Sequence, residues 1–153
     1  MNSQKRIFEE IQKINRVTGV LSTVNGQGSP QAASLYFVHD ENLNIYFITR
    51  TKSRKYKNIE KNPHVAFVIT SESPSATIQL EGTVSKVTSA TEKINYFSKL
   101  VTKASESVSI PPVSQMIDGE MAFMKMSTTW ARVGNFEITR EGDTFTEVVL
   151  EKN

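Results

Sequence analysis

The residues best suited to chemistry lie in one short basic segment from Thr49 to Lys55, which reads Thr-Arg-Thr-Lys-Ser-Arg-Lys. Ser53 is a suitable N-cap for a short helix that ends near Asn62 and Pro63, and the first N–H groups of a helix favour negative charge. Arginine and lysine side chains add charge-assisted hydrogen bonds to phosphate oxygens. The segment therefore predicts a phosphate site, and the alternative interpretation is a solvated basic helix face.

The charge of the chain is concentrated in this region. Between Arg50 and Lys61 six basic residues stand against one acidic residue, so the segment carries +5 of a chain whose net charge is +2. The remainder of the chain therefore carries −3. One basic cluster on a nearly neutral body favours a local anion site, and aromatic residues do not interleave the basic run. We expect no nucleic-acid partner.

The composition excludes several classes of protein. The 153 residues include no cysteine and two histidines, which excludes thiolate metal sites and disulfides and argues against a multi-histidine metal centre. No apolar run approaches the roughly 18 residues of a membrane span, and the charged N-terminus does not have the pattern of a secretory signal. We expect a single cytoplasmic domain over residues 1–153, with no metal and no membrane partner.

The pattern of apolar residues predicts a mainly β protein. A helical period covers residues 3–15, and Asn25-Gly26-Gln27-Gly28 is typical of a hairpin turn. A capping box, Ser89 to Glu92, begins a third helix with an apolar stripe of Ile94, Phe97 and Val101, and residues 104–118 are expected to form a loop. Strands are predicted over 20–24, 32–39, 43–48, 65–70, 77–87, 120–126, 129–138 and 144–150. These elements indicate an antiparallel β-barrel with peripheral helices, and an α+β sandwich is the alternative.

The order of several motifs resembles a known family. The motifs are Gly28 to Phe37, Leu43 to Thr49, Ser53-Arg54-Lys55, Asn58, Asn62-Pro63, Val65-Ala66 and Leu80 to Val84. Their order and spacing, from Val17 to Val87, resemble the pyridoxamine 5′-phosphate oxidase-like family, the split β-barrels that bind flavin mononucleotide (FMN). The resemblance makes the expected fold an antiparallel split β-barrel.

The resemblance also implies a homodimer with an FMN groove at the subunit interface. The second barrel strand would lie along the flavin ring, here with Ala33, Ser34, Leu35 and Tyr36. The ribityl phosphate would be held by Thr49, Ser53, Arg54 and Lys55. The polar edge of the ring would meet Thr77 and Gln79. Trp130 would either stack near the flavin from the partner subunit or lie in the core or the dimer interface.

The sequence departs from the family pattern at the substrate side. True pyridoxamine phosphate oxidases carry an arginine at the position of Ala33 and a lysine at that of Val38. Their C-terminal motif with arginine and tryptophan is not reproduced between Glu137 and Asn153. The resemblance therefore implies a flavin site but argues against pyridoxamine phosphate as the substrate, and it is closest to the short stress-protein-like members.

The expected function is that of an FMN-dependent oxidoreductase acting on a small molecule. In such a protein the chemistry belongs to the flavin, and no side chain is assigned as a catalytic acid or base. Related split barrels bind the deazaflavin F420 or haem, and these remain alternatives, as does a module that binds or senses a flavin without turnover. His39 and His64 flank strand ends and are predicted to be surface residues rather than haem ligands.

Overall fold

The computed structural model describes residues 2–105, 120–137 and 142–150, which contain three helices and eight strands. The helices are α1 (Ser3–Ile14), α2 (Arg54–Lys61) and α3 (Ala90–Ser105). The strands are β1 (Thr18–Val24), β2 (Pro30–Tyr36), β3 (Val38–His39), β4 (Ile45–Arg50), β5 (His64–Glu72), β6 (Ser75–Lys86), β7 (Met121–Asn135) and β8 (Phe145–Val149).

The strands form one sheet that curls into a barrel with a split. The order is β2-β1-β5-β6-β7-β4-β3, β8 pairs with β7, and all of these pairings are antiparallel. β2 and β3 follow each other in the chain but stand at opposite ends of this order, so the barrel is open between β2 and the β3–β4 hairpin. The predicted antiparallel split β-barrel with peripheral helices is confirmed.

The core lies inside the curved sheet and under α1. Alternate residues of the strands point inward, and large ones such as Phe47, Phe67 and Ile78 are fully buried, as is Phe37 between β2 and β3. α1 adds Ile7, Ile11 and Ile14, the face that its helical period predicted. This packing fixes the strands whose ends form the site described below.

The predicted first hairpin is present, and local hydrogen bonds explain its turn. The Asn25 side-chain oxygen accepts hydrogen bonds from the backbone N–H groups of Gln27 and Ser29, at 2.9 Å each. Gly28 has φ of +80°, a conformation that glycine adopts without strain. The turn sets the register of β1 with β2, the strand that was predicted to follow the flavin ring.

Two predicted strands, 120–126 and 129–138, are one continuous strand. β7 runs from Met121 to Asn135 without a break, and the only irregularity in its pairing with β6 is a bulge at Thr129, opposite Glu81 and Gly82. The end of the second predicted strand, at Ile138, lies outside the described residues. A Cβ atom on Gly82 would overlap the backbone of Ser127, so the close approach at the bulge requires glycine.

The third helix differs from its prediction in three respects. The Ser89 hydroxyl caps the N–H of Glu92, but the Glu92 side chain bonds to other elements instead of closing a capping box. The predicted stripe faces solvent, with Ile94 70% exposed, while Leu100 is only 1% exposed. The helix also extends over the first residues of the loop predicted at 104–118, and the rest of that loop lies outside the described residues.

Candidate cofactor site

A cavity of about 420 Å³ lies in the split of the barrel, between β2 and β4. It is bounded by the end of β4, the start of α2, one side chain of α3 and the first residue of β7. The lining residues are Thr18, Ser34, Leu35, Tyr36, Ile48, Thr49, Arg50, Ser53, Lys55, Leu100 and Met121. Six of the eleven predicted site residues are therefore brought together: Ser34, Leu35, Tyr36, Thr49, Ser53 and Lys55.

Local sequence sets the polar end of the cavity, where β4 meets α2. Ser53 is the N-cap of α2, and its hydroxyl accepts a hydrogen bond from the Tyr56 N–H at 3.2 Å. The same hydroxyl lies 3.0 Å from that of Thr49, which is buried. A helix leaves its first N–H groups without partners inside the helix, and this cap takes only that of Tyr56. The N–H groups at the start of α2 can therefore bind an anion.

Two cationic side chains, Arg50 and Lys55, line the same cavity, and none of its lining residues in the described chain is acidic. Burial holds the pKa of the Lys55 ammonium below its usual value. One neighbouring cation is already paired, since the Lys52 ammonium lies 3.5 Å from the Glu120 carboxylate. Burial disfavours the charged form of Lys55, and an anion bound in the cavity would stabilise that form.

Two further predicted residues, Ala33 and Arg54, lie in an adjoining recess of about 150 Å³ rather than in the main cavity. Lys55 lines both spaces. Neighbouring helix residues point in different directions, and the structure shows that Lys55, not Arg54, faces the main cavity. The two adjacent cations are therefore not equivalent.

α2 is fixed to the first hairpin by a buried amide, Asn58. Its side-chain N–H₂ group donates to the Thr23 hydroxyl at 3.0 Å and to the Gln31 side-chain oxygen at 2.9 Å. Asn58 and Thr23 are both buried. These bonds, made from the middle of α2, hold the helix against β1 and β2 and thereby help to position Ser53 and Lys55 relative to the strand that lines the cavity.

α3 supplies the apolar wall through Leu100, and a polar network holds the helix in place. The Tyr46 hydroxyl donates to Glu92 at 2.8 Å, and the Lys125 ammonium donates to the same carboxylate oxygen at 2.8 Å. The rings of Tyr46 and Tyr96 stack with centroids 3.9 Å apart. Burial and the bond to Glu92 raise the pKa of Tyr46, and the Lys125 ammonium lowers that of Glu92, so both groups keep their bonding roles across the physiological range.

Three predicted site residues lie away from the cavity of their own chain. Thr77, Gln79 and Trp130 are on the sheet face opposite the core. A row of cross-strand neighbours on that face runs from Gln79 through Val68 and Val20 to Ser34. Gln79 and Ser34 are separated by three interstrand spacings, so their backbones lie roughly 14 Å apart. That distance is too great for Gln79 to reach a ligand ring beside Ser34.

Five of the lining residues were not assigned individually from the sequence: Thr18, Ile48, Arg50, Leu100 and Met121. Arg50 lies within the predicted phosphate segment, and Ile48 carried a signal because it precedes Thr49 at the end of a predicted strand. Leu100 and Met121 carried none, because their place at the cavity depends on how α3 and β7 pack against β4, which lies far earlier in the chain. Neither histidine lines the cavity. His39 is half-buried against the Phe8 ring and His64 is exposed.

A family model described as pyridoxamine 5′-phosphate oxidase matches residues 4–133, which span α1 to most of β7. The chain belongs to the pyridoxamine 5′-phosphate oxidase family. The resemblance drawn from the sequence motifs is thereby confirmed, and the family is one of oxidoreductases that bind flavin.

Curated members of the pyridoxamine 5′-phosphate oxidase family match only in part. The pyridoxine/pyridoxamine 5′-phosphate oxidase of Crocosphaera subtropica is 32% identical over 78 residues, 51% of this chain and 36% of the relative. That of Bacteroides thetaiotaomicron is 28% identical over 115 residues, 72% of this chain and 54% of the relative. The chain thus spans about half or less of the length of these relatives.

Solved structures confirm the fold and place it beside proteins with different ligands. General Stress Protein 26 of Bacillus anthracis has a TM-score of 0.61 and 25% identity, covering 82% of this chain and 91% of that one. An F420 reductase has a TM-score of 0.62 and 23% identity, covering 79% and 94%. A haem binding protein of Mycobacterium smegmatis has a TM-score of 0.70 and 12% identity, covering 97% and 58%. The last two likenesses concern the fold alone.

The described residues contain neither a membrane-spanning helix nor a metal-binding cluster. None of the helices there combines the length and apolar character that a membrane crossing needs. The same residues contain no group of three or more histidine and carboxylate side chains placed to hold a metal ion.

Proposed function

We propose that the chain binds FMN in the cavity between β2 and β4 and works as an FMN-dependent oxidoreductase on a small molecule. One observation carries the proposal: Lys55, Ser53, Thr49 and the start of α2 meet at one end of a cavity whose other walls are mainly apolar. FMN likewise has one charged part and one apolar part, a phosphate dianion joined through a ribityl chain to a flat, largely apolar ring.

The residues present fit the phosphate. Arg50 and Lys55 supply two positive charges against the two negative charges of the dianion, while the N–H groups of α2 supply hydrogen bonds. Thr49 and Ser53 add hydroxyl groups on the same side. This arrangement supports the phosphate site predicted from the sequence. Lys52 and Lys57 are exposed and lie outside the proposed site.

The residues also fit the ring. β2 ends the order of the sheet, so its outer edge offers backbone hydrogen-bonding groups beside the side chains of Ser34 and Leu35. When bound, FMN would supply hydride or electron transfer. The chain would hold the phosphate with Lys55, lay β2 along the ring and exclude water with Ile48 and Leu100. No described side chain in the cavity is placed as an acid or base.

A titration with FMN tests the proposal directly. Binding is expected to quench flavin fluorescence and to give a yellow protein with shifted flavin absorbance bands. A protein that leaves the fluorescence of added FMN unchanged at saturating concentration would refute the assignment. Reduction of the bound flavin by NADH or NADPH, and its reoxidation by an acceptor, would separate an enzyme from a module that only binds or senses flavin.

FMN affinity is expected to depend on pH with a maximum between two limits. Below about pH 6 the phosphate gains its second proton and loses charge. The pKa of Lys55 lies below its usual value, so the ammonium loses its proton as pH rises through that lowered pKa, and affinity falls. Because the phosphate favours the charged form of Lys55, FMN binding should raise the pKa of Lys55. Binding at alkaline pH should therefore be accompanied by proton uptake at this residue. Calorimetry in buffers of different ionisation enthalpy would measure the uptake.

Lys55→Arg is the matched control for this pH dependence. Arginine stays protonated across the accessible range, so the alkaline loss of affinity should disappear while the acid limb remains. An unchanged alkaline limb in Lys55→Arg would show that another group controls binding there.

We propose further that the protein is a homodimer in which each cavity is completed by the partner. Thr77, Gln79 and Trp130 lie on the outer sheet face, and Ser34 joins that face to the cavity. The face carries small and β-branched side chains, including Val20, which is 43% exposed. A second copy packed on this face would cover it and bring its own Gln79 or Trp130 to the flavin.

Replacing Val20 with lysine should dissociate the dimer. The charge would be placed in the middle of the proposed interface, where it has no partner, so the dimer is expected to weaken roughly tenfold or more. Sedimentation equilibrium at micromolar concentration would measure the shift, and FMN affinity should fall with it. Ile94→Lys is the control, since Ile94 is exposed on α3 outside the sheet face. A monomeric parent protein that binds FMN tightly would contradict the shared site.

Two other cofactors remain to be compared. The F420 reductase fold supports a deazaflavin, whose phosphate would use the same end of the cavity, so parallel titrations with FMN and F420 decide between them. The haem binding neighbour supports haem by fold alone. Neither His39 nor His64 lines the cavity, and a haem spectrum unchanged by replacing both would remove them as ligands.

A further inference from the structure

Lys103, in the last turn of α3, has an unusual environment for a lysine. Its ammonium lies 4.2 Å from the centroid of the Phe37 ring, which is fully buried between β2 and β3. Lys103 itself is half-buried. The side chain therefore ends against the packed interior, while part of its surface stays open to small molecules in solution.

No carboxylate compensates for this burial within the part of the chain that the structure describes. The two ion pairs there join Lys52 to Glu120 and Lys125 to Glu92, and Lys103 takes part in neither. A lysine that loses water without gaining a carboxylate is disfavoured in its charged form.

The titratable groups around Lys103 do not take the place of a carboxylate partner. Burial lowers the pKa of His39 in β3, and Lys103 and Lys99 lower it further, so these three groups repel one another when they are charged. The Asp40 carboxylate follows His39 in the chain, but it accepts hydrogen bonds from the backbone N–H and the side chain of Asn44, at 2.9 Å each.

Burial therefore lowers the pKa of Lys103, to about 8. The Phe37 ring and the last carbonyl groups of α3 attract a cation and oppose this change, but they replace only part of the hydration that the ammonium loses. At pH 7.5 about a quarter of an amine with that pKa is neutral, compared with about 0.1% of an ordinary lysine. The neutral amine has the free electron pair that attacks a carbonyl carbon.

We propose that Lys103 is a site of covalent acylation by small acyl phosphates. The neutral Nζ attacks the acyl carbon and forms a C–N bond, the bond from that carbon to the phosphate oxygen breaks, and phosphate leaves with the electron pair. The nitrogen then loses a proton to water. The product is an uncharged amide, which stays against the Phe37 ring without the desolvation cost of an ammonium. The nearby Lys99 ammonium favours an anionic donor.

Acetyl phosphate is the probe for this reaction, and Lys99 is the internal reference. Lys99 lies one turn earlier in α3 with its ammonium 5.1 Å from the centroid of the Tyr96 ring, so it has the same kind of ring contact but is exposed. Native protein is treated at pH 7.5, and peptide mass spectrometry gives the initial rate at each lysine. Lys103 is expected to react about tenfold faster than Lys99 or more, which is less than the ratio of neutral fractions because a weaker base is a weaker nucleophile.

The pH profile and the unfolded chain give two further measurements. The rate at Lys103 should level off above about pH 8, once the amine is largely neutral. In concentrated guanidinium chloride the burial is lost, so Lys103 and Lys99 should react at similar rates. Lys103→Arg should lose the modification at this position and leave the rate at Lys99 unchanged.

Three results would overturn the proposal. They are a native protein in which Lys103 reacts no faster than Lys99, a rate at Lys103 that still rises steeply between pH 9 and 10, and a preference for Lys103 that persists in the unfolded chain. The last result would assign the reactivity to local sequence instead of the fold. The measurements need no cofactor, and Lys103 does not line the cavity between β2 and β4, so they are independent of the proposed function.

Discussion

Lys55→Ala is expected to weaken FMN binding by roughly 10- to 150-fold, because a charge-assisted hydrogen bond to phosphate contributes about 1.5–3 kcal/mol. The fold should be kept, since alanine is well tolerated at the start of a helix. Lys55 lines the main cavity beside Ser53, and no acidic side chain there competes for it in the described residues. Fluorescence titration with FMN measures the change, and circular dichroism checks the fold.

The chain offers a matched control one residue earlier. Arg54 carries the same charge on the same helix but lines only the adjoining recess, so Arg54→Ala should change FMN affinity by less than about threefold, within the range of an exposed charge. Riboflavin, which lacks the phosphate, should bind the parent protein weakly and respond little to either substitution. If Lys55→Ala binds FMN as tightly as the parent, the phosphate does not bind at the start of α2.

The polar end of the cavity was predictable because its determinants are local. Ser53 caps α2, Arg54 and Lys55 follow it directly, and Thr49 lies only four residues before it. The hairpin that places β2 was predictable for the same reason, since Asn25 and Gly28 determine their turn with their own backbone and side chains. Such features depend on residues a few positions apart, which a sequence shows directly.

The apolar wall was not predictable because its determinants are distant. In α3 the period of apolar residues allows either Val101 or Leu100 to face the body. The choice is made by Tyr46, which stacks on Tyr96 and bonds to Glu92 some 46 positions away in the chain. The same kind of distant contact joined two predicted strands into β7, where Gly82 of the neighbouring strand makes room for a bulge.

The direction of individual side chains also required the structure. The family motifs assign Ala33, Arg54 and Lys55 to one site. The pleat of β2 and the rotation along α2 instead place Ala33 and Arg54 in the adjoining recess, while Lys55 also lines the main cavity. Thr77, Gln79 and Trp130 were assigned to the flavin through the family resemblance, and within one chain they face away from it. Their proposed role therefore depends on the second copy, which makes the oligomeric state part of the site.

The second large effect is expected at Asn58, whose replacement by alanine should lower the free energy of unfolding by about 2–4 kcal/mol. The substitution leaves the hydroxyl of the buried Thr23 and the side-chain oxygen of Gln31 without their donor, and each such group costs about 1–3 kcal/mol when unpaired. Urea unfolding without FMN measures the loss as a lower midpoint at an unchanged slope.

Lys57→Ala, at an exposed position of the same helix, is the control for Asn58→Ala and should stay within about 0.5 kcal/mol of the parent. Because Asn58 holds α2 against β1 and β2, its loss should also weaken FMN binding more than riboflavin binding in the fraction that remains folded. FMN in excess should return part of the lost stability, since it binds only the native state. An Asn58→Ala protein that loses stability but keeps full FMN affinity would show that Ser53 and Thr49 position the phosphate site without this anchor.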